Sequence, residues 1–259
     1  MSNWKNLTYD ENNNIGWLTI NRPDKLNALD IATLTEMRDF LHEAAKKKIA
    51  GLVITGAGDK ASIAGADIAS MSSMNSAEGM SFGKLGQLVT VLIESLPYPT
   101  IAGVNGFALG GGFEMALACD FIFATQNAAF GLREVKLGLI PGFGGTQRLA
   151  RKTNTALAKE MIFSGRMMKS DEAQFRGISL QTFPDKATML GQCRSYMDAV
   201  AKNSPLAIKV AKMALDQGAQ TSLEQGLLLE ANSFAQLFTS SDMKEGTAAF
   251  VAKRAPVFK

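Results

Sequence analysis

Histidine and cysteine are almost missing from this chain, with one histidine, His42, and two cysteines, Cys119 and Cys193, among 259 residues. Two cysteines cannot build a disulfide framework, and a zinc site ordinarily takes three or four Cys, His or carboxylate ligands that cluster nowhere here, so no metal site is expected. A histidine-dependent triad would have to use His42. It lies in a charged helical stretch away from the glycine-rich segments and reads as a structural residue, at the surface or partly buried. A strong excess of one charge is lacking too. Lys+Arg 27 against Asp+Glu 24 gives +3, too small and too dispersed to imply nucleic acid, although it would not repel an anionic substrate. The uncharged run from Ser95 to Phe113 carries two prolines and five glycines, so no membrane helix is expected from it. The opening Met1-Ser2-Asn3-Trp4-Lys5 has neither an apolar signal core nor an Arg-rich presequence. A soluble protein of a reducing, cytoplasmic compartment is expected.

What is present is an ordinary globular mixture, 46% hydrophobic and 20% charged, enough for a well-developed core in one or two domains. Ile15 to Ile20 is rich in strand formers and stops at the turn signal Asn21-Arg22-Pro23-Asp24. Ala28 to Lys47 has apolar residues at three- and four-residue steps and predicts an amphipathic helix. A buried strand at 50–55, a helix at 77–96 and a strand at 100–104 follow, and this alternation predicts an α/β core with largely parallel strands. Beyond about Thr146, helices are expected at 154–163, 186–202, 204–217 and 221–238, with one strand at Ile178–Thr182. The expected organisation is an α/β core over 1–195 and a helical region over 196–259.

Three segments carry candidate chemistry. Asn105 to Asp120 reads as a strand end, three glycines (Gly110, Gly111, Gly112) and the start of an apolar helix. Free N–H groups at such a start can hold an oxyanion or phosphate; the plainer alternative is a tight turn. Glu114 stands in the first helical turn in apolar surroundings, either as a favourable helix-end charge or as a general acid or base. Glu134 follows twenty positions later in another apolar stretch, just before the glycine-rich turn that ends at Gly145. It is either a surface glutamate paired with Arg133 or Lys136, or the second member of an acid/base pair. Ala64-Gly65-Ala66-Asp67-Ile68 offers small residues that would admit a second N–H to the same oxyanion; alternatively it is an ordinary loop with Asp67 as a helix cap.

Taken together, Ala64–Ile68, Gly110-Gly-Gly-Phe-Glu114, and Glu134 with Leu137-Gly-Leu-Ile-Pro-Gly-Phe-Gly-Gly-Thr-Gln-Arg-Leu149 resemble the crotonase, or enoyl-CoA hydratase/isomerase, family. The likeness extends from Asn21-Arg-Pro23 and Asn27-Ala-Leu29 to Glu245-Gly-Thr-Ala-Ala-Phe250 and Arg254-Ala-Pro-Val-Phe258, essentially the whole chain. It implies a spiral of ββα units, a C-terminal helical trimerisation region, and a homotrimer or dimer of trimers. It implies an acyl-CoA thioester as substrate, with its carbonyl between the N–H groups of Ala66 and Gly111. It further implies Glu114 activating the water that attacks C3, Glu134 delivering a proton to C2, and Gly142 helping to hold the water. Coenzyme A would run along Lys25, Leu26, Ala28, Ala64, Gly65, Asp67 and Ile68 as part of the substrate, with no separate cofactor. Arg133 stands where many members have proline, Ser62 replaces a more usual aromatic, and Ala69 occupies a position where some hydratases carry a lysine. These departures bear on acyl-chain preference and CoA affinity. Having both glutamates favours hydration over Δ3,Δ2-enoyl-CoA isomerisation, which needs one. Some relatives bind RNA through a lysine-rich first helix, but here only Lys46-Lys47-Lys48 is basic, the mark of a solvated helix end.

Overall fold

The computed structural model describes residues 4–258, so Met1-Ser2-Asn3, the start of the segment that reads as lacking a leader, lies outside the described residues. The chain opens with a hairpin, β1 (Leu7–Asn12) and β2 (Ile15–Ile20), turned by Asn13 and Asn14 at φ 53° and 63°. Asparagine tolerates that left-handed geometry, whose twist matches a two-residue hairpin. After a 3₁₀ turn at Pro23–Lys25, α1 (Ile31–Ala44) buries Leu34, Met37, Phe40, Leu41 and Ala44 and leads to β3 (Gly51–Gly56), parallel to β2. The expected helix at Ala28 begins three residues later. Leu29 is committed to a bridge with Ala66, and the Asp30 side chain accepts the Thr33 N–H at 2.8 Å as the cap.

Three strand–strand–helix passes then wind alongside one another. The first is β3, β4 (Ala61–Ile63) and the helices α2 (Ile68–Met71) and α3 (Ser76–Glu94). The second is β5 (Thr100–Val104), β6 (Phe107–Leu109) and α4 (Gly111–Ala118). The third is β7 (Phe121–Thr125), β8 (Ala129–Gly131) and α5 (Gly145–Lys152). The helix α6 (Thr155–Ser164), β9 (Met168–Lys169), α7 (Ser170–Phe175), β10 (Gln181–Phe183) and α8 (Lys186–Val200) complete the core. The first strand of each pass joins a six-stranded sheet ordered β1-β2-β3-β5-β7-β10, and the second joins a four-stranded sheet ordered β4-β6-β8-β9. Apart from the β1/β2 and β8/β9 pairs, every pairing is parallel. This is the expected spiral of ββα units. The strand foreseen at Ile178–Thr182 lies at Gln181–Phe183 instead, because residues 178–180 turn in from α7 before pairing with β7 begins.

The inner strands of the larger sheet, β2, β3, β5 and β7, are buried on both faces, which is why they are largely apolar, whereas the edge strand β1 carries charge and is mostly exposed. Leu52, Ile54, Ala102, Val104, Ile122 and Ala124 face one cluster, under α1, α3 and α4. Ile15, Val53, Ile101 and Phe123 face the other, covered by Met189, Cys193 and Met197 of α8. Position 195 thus lies inside a helix whose residues on either side share one cluster. The last helices, α9 (Pro205–Gly218), α10 (Leu223–Leu237) and α11 (Ser241–Val251), bury very little: none of α9, Ser233 of α10, and Asp242 and Ala249 of α11. Among the described residues no helix is long and apolar enough to cross a membrane.

Candidate active site

Each candidate segment follows the C-terminal end of a parallel strand of the smaller sheet: Ala64–Ile68 after β4, the glycines after β6, and Glu134 after β8. Ligands of parallel sheets gather at this edge, where the main chain turns over the strand ends. The segments are pressed together by close backbone approach. A Cβ on Gly112 would stand 2.0 Å from the Ile63 carbonyl oxygen, so only glycine lets α4 start against the end of β4. A Cβ on Gly65 would meet the Leu109 carbonyl oxygen at 3.2 Å, and Gly110 enters the helix at φ 48°, ψ −125°.

Ala66 is held by its neighbours. The Leu29 N–H donates to Gly65 O at 2.8 Å and the Asp67 N–H donates to Leu29 O at 2.9 Å. Alternation along this extended stretch turns the Ala66 N–H away from Leu29. Gly111 is the first residue of α4, so its N–H lies among those that have no partner inside the helix. Two peptide donors therefore emerge from adjoining turns.

Glu114 is 1% exposed. Its Oε1 accepts the N–H of Phe143 at 2.8 Å and of Gly145 at 2.6 Å, from an arch that includes Gly142 and ends at α5. Burial, with the nearby charge of Glu134 adding to it, pushes this carboxyl up to about 7 against the opposing pull of the two N–H groups and of Arg148. Glu134 opens a 3₁₀ turn, Glu134–Leu137. A Cβ on Gly110 would stand 2.8 Å from its Oε1, while its Oε2 is buried with no hydrogen-bond partner. Burial raises this carboxyl as well. Neither expected surface partner pairs with it; the Arg133 guanidinium instead reaches the Met167 sulfur at 3.9 Å.

The remaining expected residues lie in the 3₁₀ turn after β2 and in the segment after β4, which bond to each other. Lys25 sits in the 3₁₀ turn, the Ala64 N–H donates to Leu26 O at 3.0 Å, and Leu26 and Ile68 are exposed beside the Ala66 turn. Asp67 takes the cap position of α2 without accepting from that helix, because Arg22 Nη2 holds its Oδ2 at 3.4 Å. Arg22 also pairs with Asp30 at 2.8 Å and donates to the Ala28 carbonyl. The buried Asn27 side chain donates to Ala57 O and Ala61 O. Sequence reasoning passed over Arg22 and Asn27 as site-shaping residues, although both lie inside the Asn21–Leu29 motif. Phe143 and Arg148, likewise inside the Leu137–Leu149 motif, were also missed. Ser62 is buried in β4 and Ala69 is exposed on α2. His42 is exposed on α1, far in sequence from this cluster. Among the described residues no group of three or more His, Cys, Asp or Glu could hold a metal ion.

Two glutamates set beside glycine turns at the strand ends of a ββα spiral define an α/β protein with a candidate acid/base site, and comparison with known proteins gives its family. The model of the enoyl-CoA hydratase/isomerase family matches residues 10–259, and the chain belongs to that family. It is 40% identical over 250 residues to the short-chain-enoyl-CoA hydratase of Clostridium acetobutylicum, covering 96% of this chain and 95% of that protein. It is 40% identical over 252 residues to the crotonyl-CoA hydratase of Syntrophomonas wolfei, covering 97% and 96%. The crystal structure of enoyl-CoA hydratase from Bacillus anthracis superposes with a TM-score of 0.95 at 35% identity, covering 98% of this chain and 99% of that one.

Proposed function

We propose that the protein is an enoyl-CoA hydratase that adds water syn across the double bond of a trans-2-enoyl-CoA to give a 3-hydroxyacyl-CoA. The observation that carries this reading is the pair of carboxyls beside the α4 start, the buried Glu114 fastened by two N–H groups and the half-buried Glu134 with one buried, unpartnered oxygen. Hydration breaks the C2–C3 π bond, forms a C–O bond at C3 and a C–H bond at C2, and passes through enolate-like charge on the thioester oxygen. Glu114 takes the water proton as the oxygen attacks C3, with the Gly142 N–H helping to hold that water. Glu134 gives its proton to C2. The N–H groups of Ala66 and Gly111 receive the developing oxyanion, each contributing roughly 3–4 kcal/mol where charge gathers. Raised carboxyls suit both tasks, since the acid must keep its proton until C2 takes it and the base must bind the water proton strongly.

Coenzyme A enters as part of the substrate along Lys25, Leu26, Ala28, Ala64, Gly65, Asp67 and Ile68, and this chemistry needs no separate cofactor. We infer a division into a core, 1–195, and a helical region, 196–259; the sparse burial after residue 200 favours two regions, while the continuity of α8 across position 195 argues against a cut at that point. Leu228, Phe234 and Phe238 are exposed on and beside α10 of the lone chain, which supports assembly of that region into a homotrimer or a dimer of trimers. We place the enzyme in the cytoplasm. The test is product analysis with crotonyl-CoA. Formation of 3-hydroxybutyryl-CoA is expected, and its absence alongside double-bond migration in a 3-enoyl-CoA would make the protein an isomerase.

A further inference from the structure

The arch that fastens Glu114 is itself fastened from behind. Helix α3 presents Phe82, Gly86, Thr90 and Glu94 at four-residue steps, a single stripe along its face. Its first three residues all meet Phe143, and the fourth holds Arg148 of α5. The Phe82 ring meets the Phe143 ring edge-on at 5.2 Å. A Cβ on Gly86 would stand 2.1 Å from Phe143 Cδ1, so the ring occupies the space a side chain would need. The Thr90 hydroxyl shares its proton between Gln87 O at 2.8 Å, within its own helix, and Phe143 O at 3.1 Å. Glu94 takes the Arg148 guanidinium in a fork, Nε to Oε1 at 2.7 Å and Nη2 to Oε2 at 2.6 Å. The remaining arm, Arg148 Nη1, donates to Phe143 O at 3.1 Å.

We propose that Arg148, seated on Glu94 of α3, is a positioning residue for the reaction, holding the Phe143–Gly145 arch in the shape that aims the Glu114 carboxylate. This rests on Glu114 being the base that activates water. One residue links the two ends of the device: the Phe143 carbonyl accepts from Arg148 and Thr90, while the Phe143 N–H donates to Glu114. A planar guanidinium forked on a carboxylate has little freedom, so the third arm sets where that residue lies. The charge acts in the same direction, since Arg148 lowers the Glu114 carboxyl against burial. Other charges facing Glu114 are few. Glu134 raises it, and Glu94 stands behind Arg148. Lys152 and Asp120 lie at the opposite end of α4, where Lys152 Nζ donates to Cys119 O at 3.1 Å. The strands β4, β5, β6 and β7 carry no charged residue.

The experiment measures kcat and KM for crotonyl-CoA hydration across pH in the full-length Arg148→Met, Arg148→Lys, Thr90→Val and Glu114→Gln variants. Arg148→Met should lower kcat roughly 10- to 100-fold with KM nearly unchanged. Its acidic limb should move up by about one pH unit, as both the aimed N–H groups and the opposite charge weaken. Arg148→Lys keeps the charge without the fork, so it should lose kcat but hold the limb nearer its original position. Thr90→Val should shift the limb upward by less, and it carries the comparison if Arg148→Met does not fold. A fall in kcat with an unmoved limb in Arg148→Met and Thr90→Val, or a rise in KM alone, overturns the proposal while leaving Glu114 as the base if Glu114→Gln is inactive. Near-normal turnover in Glu114→Gln overturns both.

Discussion

Glu114 holds a carboxyl group out of water by giving one oxygen to two peptide N–H groups, and Glu134 leaves one buried oxygen unmet. Unpaired polarity of this kind is costly to fold around and marks a site adapted to a substrate. Glu114→Gln and Glu134→Gln are each expected to slow crotonyl-CoA hydration by several orders of magnitude, with circular dichroism and acyl-CoA binding little changed. The protonation of Glu114 also links to stability. Its folded value of about 7 lies above the ordinary 4.5, so the folded state holds this proton more tightly than the unfolded chain does. The resulting stability is fully present below the unfolded value and is lost as pH rises through the folded one, an effect on the order of 3 kcal/mol. Thermal melts of Glu114→Gln should therefore be flatter between pH 5 and pH 8 than those of the wild type. Parallel curves would remove the link. With Glu114 as the proposed base, the rate of crotonyl-CoA hydration is expected to climb with pH through about 7, and a pH–rate profile without that limb would count against the role.

Among the elements, α4 has the least room. It is short, wholly buried, and starts where β4 ends, with its second glycine against the Ile63 carbonyl. Gly112→Ala would have to push backbone aside, so a loss of about 3 kcal/mol and a drop in melting temperature of roughly 10 °C are expected. Gly79, in the first turns of α3, supplies the contrast, because a Cβ placed there would have nothing within 4 Å. Gly79→Ala should raise stability by about 0.5–1 kcal/mol through helix propensity and a less flexible unfolded chain. Equal effects at the two positions would show that the close approach at Gly112 has no energetic weight. At α4 the glycines serve geometry first, since they let three strand ends and a helix start share one small volume.

At the scale of the whole molecule, the core is closed on both faces of its larger sheet while α9 to α11 leave apolar side chains open. Phe234 and Leu228, at 63% and 64% exposed, have no cover in the lone chain. Sedimentation should give a mass three or six times that of the chain, and Phe234→Glu combined with Leu228→Glu should reduce the mass towards one chain. A wild-type monomer at micromolar concentration would remove the trimer from the proposed function.

The amino-acid order alone determined the elements whose signal is local. Helices 154–163, 204–217 and 221–238 and the strands at 15–20 and 100–104 carry clear periodicity or strand-forming runs, and they formed within a residue or two. The glutamates and the glycine turns could also be singled out, because a carboxylate inside an apolar run is conspicuous wherever it folds. Short elements were not legible: β4, β6, β8 and β9 have two or three residues each, too few for any pattern, and they exist only because the spiral lays them side by side. The same dependence moved the start of α1, where Leu29 bonds to a segment more than thirty residues away. Tertiary structure alone decided what surrounds the carboxyls: the arch on Glu114, the absent partner of Glu134, and the Arg148 clamp on α3. Such contacts join residues far apart in the chain, and their energies depend on burial and angle, quantities that no local run of residues encodes.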